Sequence, residues 1–590
     1  MMIKFRSALK TENSSTNNLG LRWNIVVNAS FVVIALFLFW RAKYGYMFND
    51  EPFCVTLAQR LWQGEALIVH EWHGAQNFGV VLLPLFGLFK LLFNTTTGIL
   101  LAFRYVYCAL WLIVCRIVCE SLRKYGYLAL LATIYLLLFS PLDYMTLSYT
   151  SIGLMSVLLV STLLYGWISS GVISKKKLFF LGILISITAL CCPAMAICYI
   201  LYTFSAFALY GISGMKSYKQ KLLGNWDRKA LLKPWCYITL GISVMVTYYL
   251  ALLLPRVSLQ EISRNLRMIF SDPEHKSINF IKAPIDFLYA IYISSPVFCV
   301  LIFICFLLAI ASKKIKNLPT FLFIVCSVAW VLQAVIVAKK IYFQFNYQML
   351  SIVLVGTVAF VMIKKKPWTL FAAYFIVGGC YAFCSFLMSN TGVFAVSAAL
   401  SVAGVFSIIC IGLLAKQIYA EYTQGSLLRG IAIVLAVTVL WGQIVLEFYV
   451  RTNRTYWDEP LPMLTQTIQD GPAKGLVTNI ENSELYEQKL DALNGLLMGE
   501  DTAGKKLLVW NSMPWVYLAA DMNFATFSAW TFGYEDGLSD RLKAYFSLHP
   551  GNEPDFILVY DYASGEQLDQ VEGYRVKYRS NDALLIKNNL

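Results

Sequence analysis

The chain has 590 residues, of which 58% are hydrophobic, 15% aromatic and only 14% charged, and its mean hydropathy is +0.62. A soluble chain usually carries about 25% charged residues, so this composition excludes a soluble globular protein. The formal net charge of +14 arises mainly from short basic stretches between apolar runs, a pattern that follows the positive-inside rule and requires no nucleic-acid partner.

Apolar runs suited to membrane helices recur up to residue 450. A helix needs about 18 or more apolar residues to cross the hydrocarbon core. The N-terminal stretch is basic and no small-residue cleavage site follows the first run, so we expect a retained first span with a cytoplasmic N-terminus. The runs lie at 24–41, 79–93, 98–119, 127–142, 150–169, 178–191, 194–212, 235–255, 286–311, 319–338, 347–363, 368–388, 393–415 and 428–449.

The run at 79–93 determines the predicted topology. If every run crosses, the basic loops SLRKYG, SKKK, KSYKQKLLGNWDRK, SKKIKN and KKKPW all lie outside, against the positive-inside rule. This run is short and contains Pro84 and Gly87. If it is instead a re-entrant or interfacial helix, all these loops become cytoplasmic. We therefore predict a mainly α polytopic membrane protein with about 13 transmembrane helices and a long first extracytoplasmic loop at about 42–97.

Two adjacent carboxylates, Asp50 and Glu51, follow shortly after the first span. Ionisable groups near membrane depth are costly and are therefore candidates for function. Burial and mutual repulsion can raise the pKa of one of them towards the range of a general base. The alternative is that an acidic pair only marks a helix end at the interface.

A second polar motif, HEWHGAQNFG at 70–79, lies in the same loop just before the re-entrant helix. Its Glu71 and His73 are candidates for contacting a substrate. Histidine and carboxylate side chains also suit Zn²⁺, but the spacing H-E-x-H differs from the H-E-x-x-H of zinc enzymes. We therefore assign no metal ligands, and the sequence implies no cofactor firmly while leaving a divalent metal open.

This arrangement resembles the GT-C glycosyltransferases, especially the protein O-mannosyltransferases and the lipid A aminoarabinose transferase. The resemblance rests on the cytoplasmic N-terminus, one span, the NDE motif at 49–51, the proline-bearing helix at 79–93 and the stretch GILLAFRYVYCALWLIVCRIV at 98–118. It extends over about residues 20–200 and is only architectural from there to residue 450.

The resemblance implies a GT-C type helical bundle and a hexosyl- or pentosyltransferase in the cell membrane. Such an enzyme moves a sugar from a polyprenyl-phosphate donor to a cell-envelope glycan, lipid or protein on the extracytoplasmic face, and membrane lipids surround it. By resemblance, Asp50 takes the position of the catalytic base and Glu51 is its neighbour. Glu71 takes the place of the second outer-loop acid of the aminoarabinose enzyme.

A lipid-phosphate donor requires cations that stabilise the departing phosphate. Arg264 and Arg267 lie three residues apart and would share a helical face, and His275 follows in the turn SDPEH. A solvated amphipathic helix on the lipid headgroups is the alternative for these arginines.

A second group of cations lies nearer the predicted helix ends. Lys339 and Lys340 form a basic pair on the outer side, where snorkelling to the interface is the alternative. Tyr347, shortly after this lysine pair, is a candidate sugar contact. Arg104 lies near the outer end of its own span.

The part at 451–590 differs in charge and pattern from the rest, with 12 Lys or Arg against 20 Asp or Glu. Short β-like runs alternate with helical stretches at about 459–470 and 482–499, and a hairpin around Asn581-Asp582 ends the chain. We predict a small extracytoplasmic α/β domain with a mostly parallel sheet, following a membrane domain at 1–450. It either binds the acceptor or caps the outer cavity.

Other functions remain open. A transporter or flippase for lipid-linked glycans would be expected to have internal repeats and broken helices at mid-membrane. A glycan polymerase or ligase would carry its acidic residues in a late outer loop, whereas here they come early. A non-catalytic scaffold gives no reason for Asp50 and Glu51 beside the bilayer.

Overall fold

The computed structural model describes residues 2–140, 145–212, 228–271, 281–311, 315, 317–338, 347–389, 392–421, 426–530, 538–562 and 572–588. The chain is mainly helical up to Asn453, and a smaller part with a β-sheet follows. The helices of the first part are α1 (Met2–Arg41), α2 (Asp50–Trp62), α3 (Gly79–Phe93), α4 (Ile99–Ser121), α5 (Tyr127–Leu138), α6 (Tyr149–Ser170), α7 (Lys175–Cys191), α8 (Ala196–Ile212), α9 (Arg228–Leu253), α10 (Leu259–Phe270), α11 (Ala283–Ser294), α12 (Pro296–Ala311), α13 (Leu318–Ala338), α14 (Tyr347–Met362), α15 (Trp368–Met388), α16 (Val393–Ala399), α17 (Ser401–Ala420) and α18 (Leu427–Asn453).

The helices confirm the predicted mainly α, polytopic membrane class. Among the described residues, nine helices are long and apolar enough to cross a membrane, and the bent pair α11–α12 makes a tenth if it counts as one span. Three further apolar helices have only 10–17 residues. Every predicted span falls on one of these helices or on α7, so the total of about 13 depends on the shorter helices and stays a prediction.

The span predicted at 286–311 is bent, because α11 and α12 meet at an angle of 110°; whether this pair crosses the membrane stays a prediction. The break lies at Ser295, whose backbone is extended with φ −160°, directly before Pro296. Proline has no N–H to continue the hydrogen-bond ladder, and it disfavours the helical conformation of the residue before it. The local chemistry therefore ends α11 even though the surrounding sequence is apolar.

The C-terminal part is a small α/β domain, as predicted, but its five-stranded sheet is mixed. The strands are β1 (Gln466–Thr467), β2 (Val477–Thr478), β3 (Lys506–Val509), β4 (Asn523–Phe524), β5 (Phe556–Val559), β6 (Tyr574–Arg579) and β7 (Asp582–Lys587), and the helices are α19 (Ile480–Leu497), α20 (Pro514–Ala520) and α21 (Leu538–Leu548). The strand order in the sheet is β4-β3-β5-β7-β6, in which β3 is parallel to β4 and β5, while β7 is antiparallel to both β5 and β6.

Two local predictions in this domain are corrected. The helix expected at 459–470 is only a short 3₁₀ turn at Leu461–Met463 followed by β1, because Pro462 cannot donate within a helix. The final hairpin turns one residue early, since Arg579 pairs with Asp582. Asp582 cannot lie in the turn because its buried carboxylate accepts a hydrogen bond from Lys489 at 2.8 Å.

The loop before α3 and the C-terminal end of α3 both contact the C-terminal domain. Before α3, the Trp72 amide donates to the carbonyl oxygen of Phe527 at 2.7 Å. At the other end, Lys90 Nζ lies 2.7 Å from Asp521 Oδ2. The segment Gln76–Phe93 is long and apolar enough to cross a membrane. The loop before α3 and the C-terminal end of α3 thus contact the same small domain, and this favours the interfacial placement inferred from the basic loops.

We expect both ends of α3 to be accessible from the outer side. In a variant that lacks the 14 native cysteines, Gly74→Cys and Thr95→Cys should both react with a membrane-impermeant maleimide added outside. Asp501→Cys serves as the reference in the C-terminal domain, and Lys365→Cys as the reference for the cytoplasmic side. Labelling at only one of positions 74 and 95 would show that α3 crosses the membrane.

Candidate functional site

The adjacent carboxylates Asp50 and Glu51 form the first turn of α2, where the helix dipole favours negative charge. Consecutive residues of an α-helix project about 100° apart, so the two side chains have different surroundings. Glu51 is 0% exposed, whereas Asp50 is only partly buried. The acidic pair therefore consists of two groups with different chemistry.

Glu51 forms a buried bidentate ion pair with Arg104 of α4. Arg104 Nε lies 2.7 Å from Glu51 Oε1, and Nη2 lies 2.6 Å from Oε2. The remaining nitrogen, Nη1, donates to the carbonyl oxygens of Ala42 at 3.0 Å and Tyr44 at 3.3 Å. These contacts favour a positioning role for Glu51 and Arg104. The catalytic and phosphate-binding roles inferred for them from sequence stay predictions.

Asp50 is held by a residue that follows the last span. The hydroxyl of Tyr456 donates a short hydrogen bond to Asp50 Oδ2. Burial raises the pKa of Asp50 to about 6, against the opposing effect of this hydrogen bond. Burial and the nearby Asp50 charge also raise the pKa of the Tyr456 hydroxyl, so it remains a donor at neutral pH. A carboxylate that titrates near pH 6 is suited to accept a proton.

A narrow cleft opens beside this contact. The residues that line it include Arg104 and Tyr456, the hydrogen-bond donor to Asp50. Its lining is mixed, with basic, aromatic and thioether side chains: Arg41, Tyr44, Gly45, Met47, Arg104, Met145, Thr455 and Tyr456.

Glu71 lies in a buried ion cluster that joins the first loop to the C-terminal domain. Arg60 Nη1 is 2.6 Å from Glu65 Oε2, and Arg60 Nε is 3.2 Å from Glu71 Oε2. Arg60 also donates to the carbonyl oxygen of Thr526 at 2.9 Å and lies over the ring of Phe524 at 4.1 Å. Burial raises the pKa of Glu71, and Arg60 opposes this shift. These contacts favour a structural role, so a substrate contact for Glu71 stays a prediction.

His73 lies in an aromatic cluster next to the first turn of α2. Its ring packs edge-on against Phe53 with centroids 4.8 Å apart, and it is tilted against Trp530 at 6.0 Å. Phe53 is three residues from Asp50, so the two share a face of α2. His73 thus lies in the neighbourhood of Asp50, with the aromatic ring of Phe53 beside it.

The amphipathic helix α10 contacts both the first loop and the C-terminal domain through Asn265. Trp72 Nε1 donates to Asn265 Oδ1 at 2.8 Å, and Asn265 Nδ2 donates to the Glu261 carbonyl oxygen at 2.9 Å. These two bonds set the orientation of the amide, so His549 Nε2, 3.0 Å from the same Oδ1, is a donor. Burial lowers the pKa of His549 to about 4. Burial also lowers the pKa of His70, whose ring lies beside that of His549.

Arg264 and Arg267 lie at exposed positions of α10, and their contact with a phosphate stays a prediction. Leu259 and Phe270, at the two ends of this helix, are 74% and 83% exposed. Exposed basic and apolar side chains together are typical of a helix at the membrane interface, so both interpretations of these arginines remain.

The other predicted substrate contacts lie elsewhere. Tyr347, at the start of α14, stacks on Phe394 with ring centroids 5.6 Å apart, and no contact in the described ranges joins it to Asp50. His275, Lys339 and Lys340 lie outside the described residues.

A metal ion has no evident site in the part of the chain that the structure describes. No group of three or more His, Cys, Asp or Glu side chains comes together there. Glu71 is engaged by Arg60, and His73 Nδ1 accepts a hydrogen bond from the amide of Ala75 at 3.1 Å. The possibility of a divalent metal therefore gains no support from these residues.

Sequence reasoning missed several residues around Asp50. Tyr456 and Asp458 lie in the polar stretch RTNRTYWDE directly after the last span, at the same predicted level as Asp50. Arg60 interrupts the apolar stretch FCVTLAQRLW, which is a sign of a buried charge that needs a partner. Asn265 and Trp530 carried no comparable signal.

The sequence has no match among family models or among curated proteins. Among solved structures, the chain is similar to the crystal structure of ArnT from Cupriavidus metallidurans in the apo state, with 10% sequence identity and a TM-score of 0.41. The similarity covers 96% of this chain and 98% of that chain.

We expect Glu51→Gln to destabilise the protein by about 3–5 kcal/mol, because it leaves Arg104 charged and buried without its partner. The measurement is the unfolding free energy or apparent unfolding temperature of the purified protein in detergent. Glu487→Gln, which changes an exposed acid of α19, is the control, and Glu51→Gln with Arg104→Gln should recover part of the loss. Equal stability of Glu51→Gln and the control would contradict a structural ion pair.

We expect His549 to make the protein less stable as the pH falls. The pKa of His549 is lower in the folded protein than the ordinary value of 6.5, so the unfolded chain binds more protons between about pH 6.5 and 4 and folding weakens on acidification. In His549→Gln the amide can still donate to Asn265 but does not titrate. The drop in unfolding temperature between pH 7.5 and pH 5 should be smaller in this variant than in the wild type; equal drops would exclude the contribution.

Proposed function

We propose that the protein is an integral-membrane glycosyltransferase that moves a sugar from a polyprenyl-phosphate donor to a cell-envelope acceptor, with Asp50 as the general base. The observation that carries the proposal is the partly buried Asp50 carboxylate, whose pKa is about 6, at the start of the helix that follows the first span. The resemblance of the NDE motif and the first loop to the GT-C enzymes supports the same reaction.

Transfer from a lipid phosphate requires a base that takes the proton of the acceptor hydroxyl as that oxygen attacks the sugar. A base works best when its pKa is close to the working pH, and Asp50 meets this condition. Because lipid phosphates lie at the headgroup level, the base is needed near the end of a span. Asp50 meets this requirement, since it is the ninth residue after Arg41, where α1 ends.

Cations are required on the leaving phosphate, where charge stabilisation is usually the largest catalytic contribution. Within the described ranges, Arg264 and Arg267 are the exposed candidates on α10. The neighbouring Arg256 is anchored to the first loop, since its Nη1 donates to the carbonyl oxygen of Glu65 at 2.6 Å. This contact holds the segment before α10 against the first loop, which contains Asp50.

The test is donor consumption by the purified protein with a panel of polyprenyl-phosphate sugars and an envelope extract as acceptor. Asp50→Asn should lower the rate by about a hundredfold or more, because it removes the base while its amide oxygen can still accept from Tyr456. Glu459→Gln, which changes an exposed acid nearby, should act like the wild type. The wild-type rate should fall on acidification with a midpoint near pH 6.

Equal rates for wild type and Asp50→Asn would show that Asp50 is not the general base. If neither consumes a donor while the protein in vesicles moves lipid-linked sugar across the bilayer, the protein is a transporter.

A further inference from the structure

We propose that Tyr456 is a positioning residue that holds Asp50 by its Oδ2 and leaves Oδ1 as the oxygen that takes the proton of the acceptor. This inference rests on the proposed function, because it assigns a role in the same proton transfer. It makes the segment after the last span a part of the site.

Residues on both sides of Tyr456 are anchored, one to the end of α1 and the other to the first loop. Arg41 Nη2 donates to the carbonyl oxygen of Arg454 at 2.6 Å. On the other side, Asp458 Oδ2 accepts a hydrogen bond from the amide of Tyr46 at 2.8 Å. Two anchors four residues apart leave the tyrosine little freedom, so its hydroxyl is directed at Asp50.

The anchor at Asp458 is itself part of a network with the C-terminal domain. Its Oδ2 also accepts from Thr478 Oγ1 at 2.6 Å, and its Oδ1 accepts from Asn479 Nδ2 at 2.8 Å. On the other flank of Tyr456, the side chain of Thr455 lies against Gly45, where an added Cβ would come within 3.0 Å of it. The docked domain and the first loop therefore hold the segment from both sides.

The two oxygens of Asp50 differ in their surroundings. Oδ2 accepts from Tyr456, and no hydrogen bond to Oδ1 is found in the ranges that the structure describes. With Oδ2 occupied, Oδ1 is the acceptor for an incoming hydroxyl. In the reaction, the acceptor oxygen bonds to the sugar carbon, the bond from that carbon to the phosphate oxygen breaks with its electron pair on the phosphate, and the hydroxyl proton moves to Oδ1.

The hydrogen bond from Tyr456 also affects the pKa of Asp50. Burial raises the pKa of Asp50, and the bond from Tyr456 lowers it. Loss of the hydroxyl therefore raises the pKa of Asp50 further, and the ionised form that acts as base appears only at higher pH. A residue that merely filled space would not produce this shift.

The contact is tested first without any substrate. 3-Fluorotyrosine is placed at position 456 of the full-length protein in detergent, and its ¹⁹F resonance is followed from pH 4.5 to 8. The resonance should titrate with a midpoint near pH 6, and the titration should vanish in Asp50→Asn. The same label at Tyr449, an exposed tyrosine in the last turns of α18, is the matched control and should not respond to Asp50→Asn.

The role is then tested by the pH dependence of donor consumption, measured with the polyprenyl-phosphate sugar that the wild type uses. In Tyr456→Phe the acid limb should move up by roughly one pH unit, because one charge-assisted hydrogen bond is lost. The KM for the donor should change little, since Tyr456 is not placed on the donor. Tyr449→Phe should keep the wild-type profile.

The outcomes separate this inference from the proposed function. A ¹⁹F titration that is absent, or that persists in Asp50→Asn, overturns the contact whatever the activity. An unshifted acid limb in Tyr456→Phe overturns the positioning role while Asp50 keeps its own. If Asp50→Asn remains fully active, the base assignment fails, and the role of Tyr456 in proton transfer fails with it, even where the ¹⁹F titration is seen.

Discussion

The ion pair between Glu51 and Arg104 determines where the candidate site lies. Burying two charges costs several kcal/mol per ion, and close geometry with full hydrogen bonding is needed to offset that cost. The bidentate contact, together with the carbonyl oxygens of Ala42 and Tyr44, meets this requirement. Because Arg104 belongs to the span α4, the pair holds the first turn of α2 at the end of that span. Asp50, the adjacent residue, is therefore held at the same level.

A second set of buried charges has the same effect at the other end of α2. Arg60 contacts Glu65 and Glu71 of the first loop and the carbonyl oxygen of Thr526 in the C-terminal domain. The first loop thus contacts both the helical bundle and the C-terminal domain, and the two ends of α2 are held by buried ion pairs, which salt screens little. This explains why the domain contributes residues around Asp50 and does more than cover the bundle.

The sequence predicted the features that depend on short stretches of chain. Hydropathy located the helices, because each span needs its own apolar run, and the position of Asp50 after the first span followed directly. The same reasoning did not indicate the bend at Pro296, where the apolar pattern continues but the helix does not. It also failed at the final hairpin, because a buried contact with Lys489 keeps Asp582 inside the strand. In both places a single residue overrode the pattern of its neighbours.

The local sequence by itself determines the membrane class, the apolar helices and the position of a carboxylate beside the bilayer, since the bilayer acts on each segment separately. The local sequence does not determine the hydrogen-bond and ion-pair partners of the two carboxylates. Arg104 is 53 residues from Glu51, and Tyr456 is 406 residues from Asp50. Only the packing of the first loop against α4 and the C-terminal domain brings these groups together. The difference in chemistry between Asp50 and Glu51 therefore arises from tertiary contacts, because burial and hydrogen bonding, and not residue type, set the behaviour of a carboxylate.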